Sequence, residues 1–277
     1  VLTGVTSADN SIPLFSIVPA FKNLELSPAT SVLHYAQTFF EGMKATKNEK
    51  GEILLFRPYE NAKRFNVSAD RMCMPEVPEE LFMEALKTLL EVDRNWIPSK
   101  ESDSLYIRPF MIAMDPYVGI RPSDTYKFII FTCPVGAYYS EPVPVKIETY
   151  YTRAVDGGTG FAKAGGNYAA SLYPAKLGQE KGYRQLIWTD SKEHKYIEES
   201  GTMNVMFLIG DTLITPKSSE TILAGITRRS VVDIARDWGM KVEERRVSVE
   251  EVVNACKNGT MIEAFGAGTA ATIAPIS

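Results

Sequence analysis

Asp156-Gly157-Gly158-Thr159-Gly160-Phe161-Ala162-Lys163-Ala164-Gly165-Gly166-Asn167-Tyr168 decides how the rest of the chain is read. One lysine stands between two glycine pairs. Glycine lets the backbone turn sharply and lets a bulky ligand approach closely. A lysine held in such a loop can present its amine to a carbonyl compound and form a Schiff base. The stretch is not a dinucleotide loop, because G-x-G-x-x-G needs glycine where Lys163 sits. Nor is it a phosphate-binding loop, because no Gly-Lys-Ser/Thr follows four variable residues. Taken alone it also reads as a surface turn with a solvated lysine, so other segments have to decide.

Around it, Val145 to Tyr151 reads as a strand and Tyr168 to Gly178 as a helix. Further on, Gln185 to Thr189, Met203 to Ile209, Thr212 to Ile214 and Val242 to Val247 read as strands. Thr227 to Trp238 and Val249 to Lys257 read as helices. Met261 to Phe265 is a strand meeting the small-residue turn Gly266-Ala267-Gly268-Thr269-Ala270. Upstream, residues 139–147 hold two prolines and no helical pattern, and read as a linker. The first half alternates helices with strands. Residues 1–26 read as strand and loop. Ser27 as N-cap and Pro28 at the first position open a helix with Leu33, Phe39 and Phe40 on its apolar face, interrupted at Gly42. Ile53 to Phe56 is a strand, Tyr59 to Ser68 and Leu81 to Trp96 are helices, and Leu105 to Pro109 and Lys127 to Cys133 are strands. The expected organisation is a small domain over 1–138, a linker over 139–147 and a large domain over 148–277.

Composition narrows the function. At 277 residues the chain is long for one core. Its net charge of −4, with no long basic run, gives no footprint for nucleic acid. No apolar run approaches the ~18 residues of a membrane span, and no signal pattern opens the chain. Cys73, Cys133 and Cys256 are scattered and odd in number, which fits a reducing compartment. His34 and His194 belong to no cluster with metal-ligand spacing, so no His/Cys metal site is expected. His194 falls in the polar run Ser191 to Lys195, a loop or hairpin tip.

Three further segments carry chemistry. In Tyr196-Ile197-Glu198-Glu199-Ser200-Gly201-Thr202-Met203-Asn204, two acids precede an apolar strand. They read as a solvated turn or as a carboxylate aimed at a cationic ring nitrogen, the partner that pyridoxal phosphate needs as an electron sink. Thr221-Ile222-Leu223-Ala224-Gly225-Ile226-Thr227-Arg228 sets a glycine and a threonine at a helix N-terminus. Free N–H groups and the helix dipole favour a phosphate there. The turn at Gly266 to Ala270 could offer a hydroxyl to a phosphate and N–H groups to a carboxylate.

His34-Tyr35, Phe39-Phe40-Glu41-Gly42-Met43-Lys44, Tyr106-Ile107-Arg108-Pro109, Lys163 to Tyr168, Glu198 to Asn204 and Gly225-Ile226-Thr227-Arg228 occur in this order. With them the chain resembles the branched-chain amino acid aminotransferases, α+β enzymes of fold-type IV with two domains and pyridoxal 5'-phosphate in the interdomain cleft. The resemblance spans nearly the whole chain. It implies that Lys163 binds the cofactor covalently and shuttles a proton between Cα and C4′. Tyr168 then bonds the phenolic oxygen, Glu199 the pyridine nitrogen, and Leu223 packs on the ring. Arg64, Ile226, Thr227 and Thr269 fall where the family holds the phosphate. Tyr35, Phe40, Tyr106, Thr202, Met203 and Ala270 match the substrate pocket. Arg108 matches an arginine that helps accommodate the glutamate side chain. The loop Asp115 to Ile120, with Val118 and Ile120, matches one that reaches the partner subunit's pocket, which implies a homodimer or larger.

The implied reaction is reversible transamination of leucine, isoleucine or valine with 2-oxoglutarate, in the cytoplasm or the mitochondrial matrix. D-amino acid aminotransferase and aminodeoxychorismate lyase share the fold, but Tyr106 to Pro109 and the apolar pocket argue against both. A catalytically silent homologue is opposed by the joint presence of Lys163, Tyr168, Glu199 and Arg64. Three departures from the family stand out. Ser200 replaces its usual valine. The redox Cys-x-x-Cys of some eukaryotic members is absent after Ala270. The family also continues past the position of Ser277, so a terminal helix and strand of the large domain are expected to be missing here.

Overall fold

The computed structural model describes residues 2–7, 16–17, 23–100, 102–136, 139 and 141–277. It falls into two units, Val1–Ala137 with Ala162–Gly166, and Tyr138–Phe161 with Asn167–Ser277.

The first unit is a sheet with two helices on one face. In chain order its elements are β1 (Leu2–Ser7), β2 (Ser16–Ile17), α1 (Ser31–Tyr35), β3 (Thr38–Phe40), β4 (Met43–Lys47), β5 (Ile53–Leu55), α2 (Pro58–Arg71), α3 (Glu79–Val92), β6 (Ser104–Ala113) and β7 (Thr125–Val135). The antiparallel strands run β2-β1-β7-β6-β4-β5, with β3 also on β6. Alternation along β6 buries Leu105, Ile107, Pro109 and Met111 and leaves Tyr106, Arg108 and Phe110 half-buried on the other face. The buried face meets α2 and α3. Phe65 lies 4.5 Å from Phe39, 5.5 Å from Phe82 and 5.2 Å from Phe128, centroid to centroid. Each such ring taken fully from water contributes about 1.5–3 kcal/mol.

The helix expected from Ser27 through Phe40 is not there. α1 covers only Ser31–Tyr35, with Thr30 as its N-cap, and stops at Ala36 in the left-handed conformation (φ 51°). Phe39 and Phe40 instead form β3, paired with Met111 and Phe110. The two rings have different tasks: Phe39 is fully buried in the core, while Phe40 faces the Arg108 side. Adjacent residues reach opposite faces in a strand and not in a helix.

The second unit contains β8 (Val145–Ile147), α4 (Gly165–Glu180), β9 (Gln185–Thr189), β10 (Tyr196–Ser200), β11 (Met203–Ile209), β12 (Thr212–Pro216), α5 (Ile226–Asp237), β13 (Lys241–Arg245), β14 (Val247–Ser248), α6 (Val249–Lys257), β15 (Met261–Gly268) and β16 (Thr272–Pro275). Its sheet runs β13-β12-β11-β10-β9-β8, with β14 on β10, β15 on β11 and β16 on β15. The pairs β8–β9 and β12–β13 are parallel. β8 ends four residues before Tyr151, because the Glu148 carboxylate accepts the N–H groups of Thr149, Tyr150 and Tyr151 and turns the chain out of the sheet. The strand expected over Val242 to Val247 breaks at Arg246 into β13 and β14. Gly266, Ala267 and Gly268 belong to β15, not to a turn, and Ala267 pairs with Asn204. The reversal falls on Thr269 to Ala271. Among the described residues no helix is long and apolar enough to cross a membrane.

Candidate active site

In the first unit the site is built on a polar stripe of α2. Asn61, Arg64 and Ser68 sit at helical spacing and are all buried. Asn61 Nδ2 donates to Glu41 Oε2 at 2.8 Å, and Arg64 donates through Nε to Oε1 at 2.7 Å and through Nη2 to Oε2 at 3.0 Å. The Gly42 N–H adds a fourth bond to the same carboxylate. Burial would push the pKa of Glu41 up, but Arg64, Lys163 and Asn61 hold it below the ordinary carboxylate value. Ser68 Oγ accepts the Lys163 N–H at 3.0 Å, and the Lys163 carbonyl accepts the Phe40 N–H at 3.2 Å. Ala164 bridges Phe39. The lysine segment is thereby held at its backbone on both sides of the side chain, and Lys163 Nζ lies 4.9 Å from the Phe40 ring centroid.

The same ring carries a second cation. Arg108 Cζ lies 4.3 Å from the Phe40 centroid and 5.2 Å from that of Tyr106, and Nη2 donates to Tyr106 Oη at 2.9 Å. Arg108 Nε is buried with no hydrogen-bond partner among the described residues. Tyr106 needs Gly42: any Cβ at that position would collide with its hydroxyl. Tyr35 and Val118 are exposed, and Ile120 is 94% exposed. The loop behind them is fixed at its base by Asp115, which accepts from Arg121, Asp124 N–H, Thr125 N–H and Thr125 Oγ1.

In the second unit, β10 delivers Glu199, 3% exposed. Its Oε1 accepts the Leu223 N–H at 2.7 Å, and Arg153 Nε stands 3.1 Å from its Oε2 as an ion pair, without hydrogen-bond alignment. Arg153 Nη2 also donates to the carbonyls of Gly160 and Thr221. Asn204 Nδ2 donates to the Leu223 carbonyl at 2.9 Å, and its Oδ1 fills the space a Cβ on Gly225 would take. Gly225 is the N-cap of α5 and no side chain caps that end, so Ile226 and Thr227 begin the helix with N–H groups not taken by a cap. Asn167 and Thr159 exchange bonds of 2.7 and 2.6 Å that fasten the glycine stretch to α4, the helix that carries Tyr168. Met203 is buried, Thr202 is exposed, and Thr269 and Ala270 are half-buried at the reversal after β15.

Each unit thus gathers its own share of the expected residues: Phe40, Arg64, Tyr106, Arg108 and Lys163 in one, and Glu199, Leu223, Ile226 and Thr227 in the other. The sequence reading missed Glu41, Asn61, Ser68, Arg153 and Asn204. A polar i, i+3, i+7 row beside the apolar stripe of α2 was a usable signal for Asn61, Arg64 and Ser68. Nothing local marks Arg153.

The first unit thus offers an amine-bearing loop, and the second an anion-ready helix end and a buried carboxylate. The sequence model of the family described as amino-transferase class IV matches residues 38–277, and the chain belongs to that family, whose cofactor is pyridoxal 5'-phosphate. It is 48% identical over 263 residues to branched-chain-amino-acid aminotransferase 2 of Bacillus subtilis, covering 94% of this chain and 72% of that protein. It is 48% identical over 273 residues to a probable branched-chain-amino-acid aminotransferase of Staphylococcus epidermidis, covering 97% of this chain and 76% of that one. The Escherichia coli branched-chain amino acid aminotransferase superposes with a TM-score of 0.78 at 29% identity, over 91% of this chain and 80% of that one. The branched-chain amino acid aminotransferase of Thermobaculum terrenum, in its PLP-bound holo form, gives 0.74 at 25%, over 91% and 80%.

The residues present fit that cofactor. The start of α5, which no side chain caps, offers N–H donors suited to the cofactor's phosphate. Glu199 is a buried acceptor suited to a protonated ring nitrogen.

Proposed function

We propose that this chain transfers the amino group of leucine, isoleucine or valine to 2-oxoglutarate, reversibly and by a ping-pong sequence. One observation carries the reading: Lys163 Nζ and Arg108 Cζ share the Phe40 ring, at 4.9 and 4.3 Å. A reactive amine, a carboxylate-binding cation and an aromatic wall thereby stand together. When bound, pyridoxal 5'-phosphate supplies the electron sink for the carbanion at the substrate Cα. Lys163 would hold the cofactor, and its amine would take the proton from the substrate Cα and return it. Glu199 keeps a proton on the ring nitrogen, Tyr168 donates to the phenolic oxygen, and Leu223 packs on the ring. For the phosphate the first unit offers Arg64, and the second Ile226, Thr227 and Thr269.

For the branched side chain the family likeness offers Phe40, Tyr35 and Tyr106 in the first unit and Thr202, Met203 and Ala270 in the second. Arg108 takes the second carboxylate of 2-oxoglutarate. The exposed Val118 and Ile120 support a homodimer in which this loop completes the pocket of the other copy. The bacterial relatives support a cytoplasmic enzyme. The test is an assay of L-leucine, L-isoleucine, L-valine and D-alanine, each with 2-oxoglutarate. Turnover of the three branched substrates supports the reading; turnover of D-alanine alone overturns it. Rates do not have to rank the three, since a methylene is worth only ~1–3 kcal/mol in an apolar pocket.

A further inference from the structure

Glu198 has no task in this reaction, yet it is only 8% exposed. Its Oε1 lies 2.5 Å from Thr221 Oγ1, and among the described residues nothing hydrogen-bonds its Oε2. Among the described residues the charged groups that act on it most are Arg153, Glu199 and Asp190. Asp190 already accepts the N–H groups of Glu193, Lys195 and Tyr196. Arg153 is committed to Glu199 and to the carbonyls of Gly160 and Thr221. A buried acid with one hydroxyl partner beside a second acid is expensive to ionise. Burial first, then the charges of Glu199 and Asp190, raise the pKa of Glu198 from its ordinary value, against the opposing pull of Thr221 and Arg153.

Thr221 is the point where these groups meet. Its hydroxyl contacts Glu198 and, at 3.0 Å, Ser219 Oγ, and its carbonyl takes Arg153 Nη2. Two residues later the Leu223 N–H reaches Glu199 at 2.7 Å. Two adjacent acids therefore grip the same segment, 219–223, by different means.

We infer that Glu198 is a positioning residue that stays uncharged beside Glu199: it holds Thr221, leaves Arg153 to Glu199, and so fixes the segment that carries Leu223 while the pair bears one negative charge. Carboxylates whose surroundings separate their proton affinities divide the work in this way. The catalytic consequence rests on Glu199 being the ring-nitrogen partner, as proposed above; the charge state of Glu198 does not.

The consequence is a pH dependence with a definite sign. An acid with a raised pKa in the folded state holds a proton that the unfolded chain has released, so its contribution to stability is lost as pH rises through the folded value. At high pH a second charge also competes for Arg153. The experiment compares holoenzymes of the native sequence, Glu198→Gln, Glu198→Ala and Glu199→Gln between pH 5 and 9, by thermal unfolding, cofactor absorption and kcat with leucine. Glu198→Gln is expected to match the native Tm near pH 5 and to exceed it by about 2–4 °C at pH 9, and its kcat should hold where the native value falls. Glu198→Ala, which deprives Thr221 of its carboxyl partner and leaves it only Ser219, should lower kcat at every pH by on the order of tenfold. A Tm difference for Glu198→Gln that does not change with pH, or a Gln variant as impaired as the Ala variant, overturns the inference. If Glu199→Gln leaves the absorption band and kcat unchanged, the ring-partner reading fails by itself, and the Tm comparison still decides the charge of Glu198.

Discussion

Removing the Arg153 guanidinium should destabilise the cofactor-free protein more than the holoenzyme. The side chain is 10% exposed, and its charge stands 3.1 Å from Glu199, whose side chain is 4% exposed. It also serves the carbonyls of Gly160 and Thr221. Arg153→Met keeps much of the stem and deletes the charge. Glu199 is then a buried carboxylate without this counter-charge, and two carbonyls lose a donor. Breaking a buried pair from one side costs about 3–5 kcal/mol. At about 2–4 °C per kcal/mol for a chain of this size, Tm should fall by roughly 6–20 °C. The protonated ring nitrogen proposed for Glu199 would restore part of the missing charge. Calorimetry with and without pyridoxal 5'-phosphate should therefore show a smaller gap between variant and native protein when the cofactor is bound. A drop below about 3 °C without cofactor would refute the buried-pair argument. Equal drops in both states would refute the assignment of Glu199 to the ring.

Three other outcomes follow from the same geometry. Lys163→Ala should abolish steady-state transamination measured without added amine; retained turnover would move the chemistry to another residue. Arg108→Met should raise KM for 2-oxoglutarate over that for leucine by on the order of tenfold to a hundredfold, the worth of a charge-assisted bond, and equal losses in the two half-reactions would mark Arg108 as structural. Asp115 is held down to a pKa of about 2, burial opposing and the bonds from Asp124, Thr125 and Ser123 prevailing. Its contribution is present above the ordinary aspartate value and is lost as pH falls through about 2. Asp115→Asn should thus cost about 2 kcal/mol at pH 7, and urea unfolding at pH 7, 4 and 3 should show the gap closing towards acid; a gap that stays constant would contradict the linkage.

What could be read in the sequence was what lies contiguous in it. Lys163 between its glycines, Tyr106 and Arg108 two apart on one strand face, and Gly225 before Ile226 each keep their chemistry within a few residues. What could not be read depends on distant partners. Glu41 finds Arg64 23 residues away, and the Lys163 backbone finds Ser68 95 residues away. Arg153 reaches Thr221 68 residues on. Pairings of that span are made by the fold, and no local pattern carries them. The helix expected through Phe39 and Phe40 failed for a related reason. Apolar spacing there fits a helix, but the two rings serve opposite faces of a sheet, which only the strand partner β6 reveals.

The acid pair shows how far a local rule can mislead at the site itself. In a regular strand Glu198 and Glu199 would point to opposite faces, and only one could serve the chemistry. In β10 the register with β9 shifts between Ile197 and Glu199. An irregularity of this kind re-aims side chains, and here both carboxylates reach the segment 219–223. The choice between them is then electrical. Glu199 has the guanidinium of Arg153 and a backbone N–H, whereas Glu198 has a hydroxyl and an oxygen with no partner among the described residues. A cationic ring nitrogen is best met by the acid that can stay ionised when buried. The position of Arg153, ten residues before the lysine and invisible as a motif, is therefore what favours Glu199 over Glu198 in the proposed role.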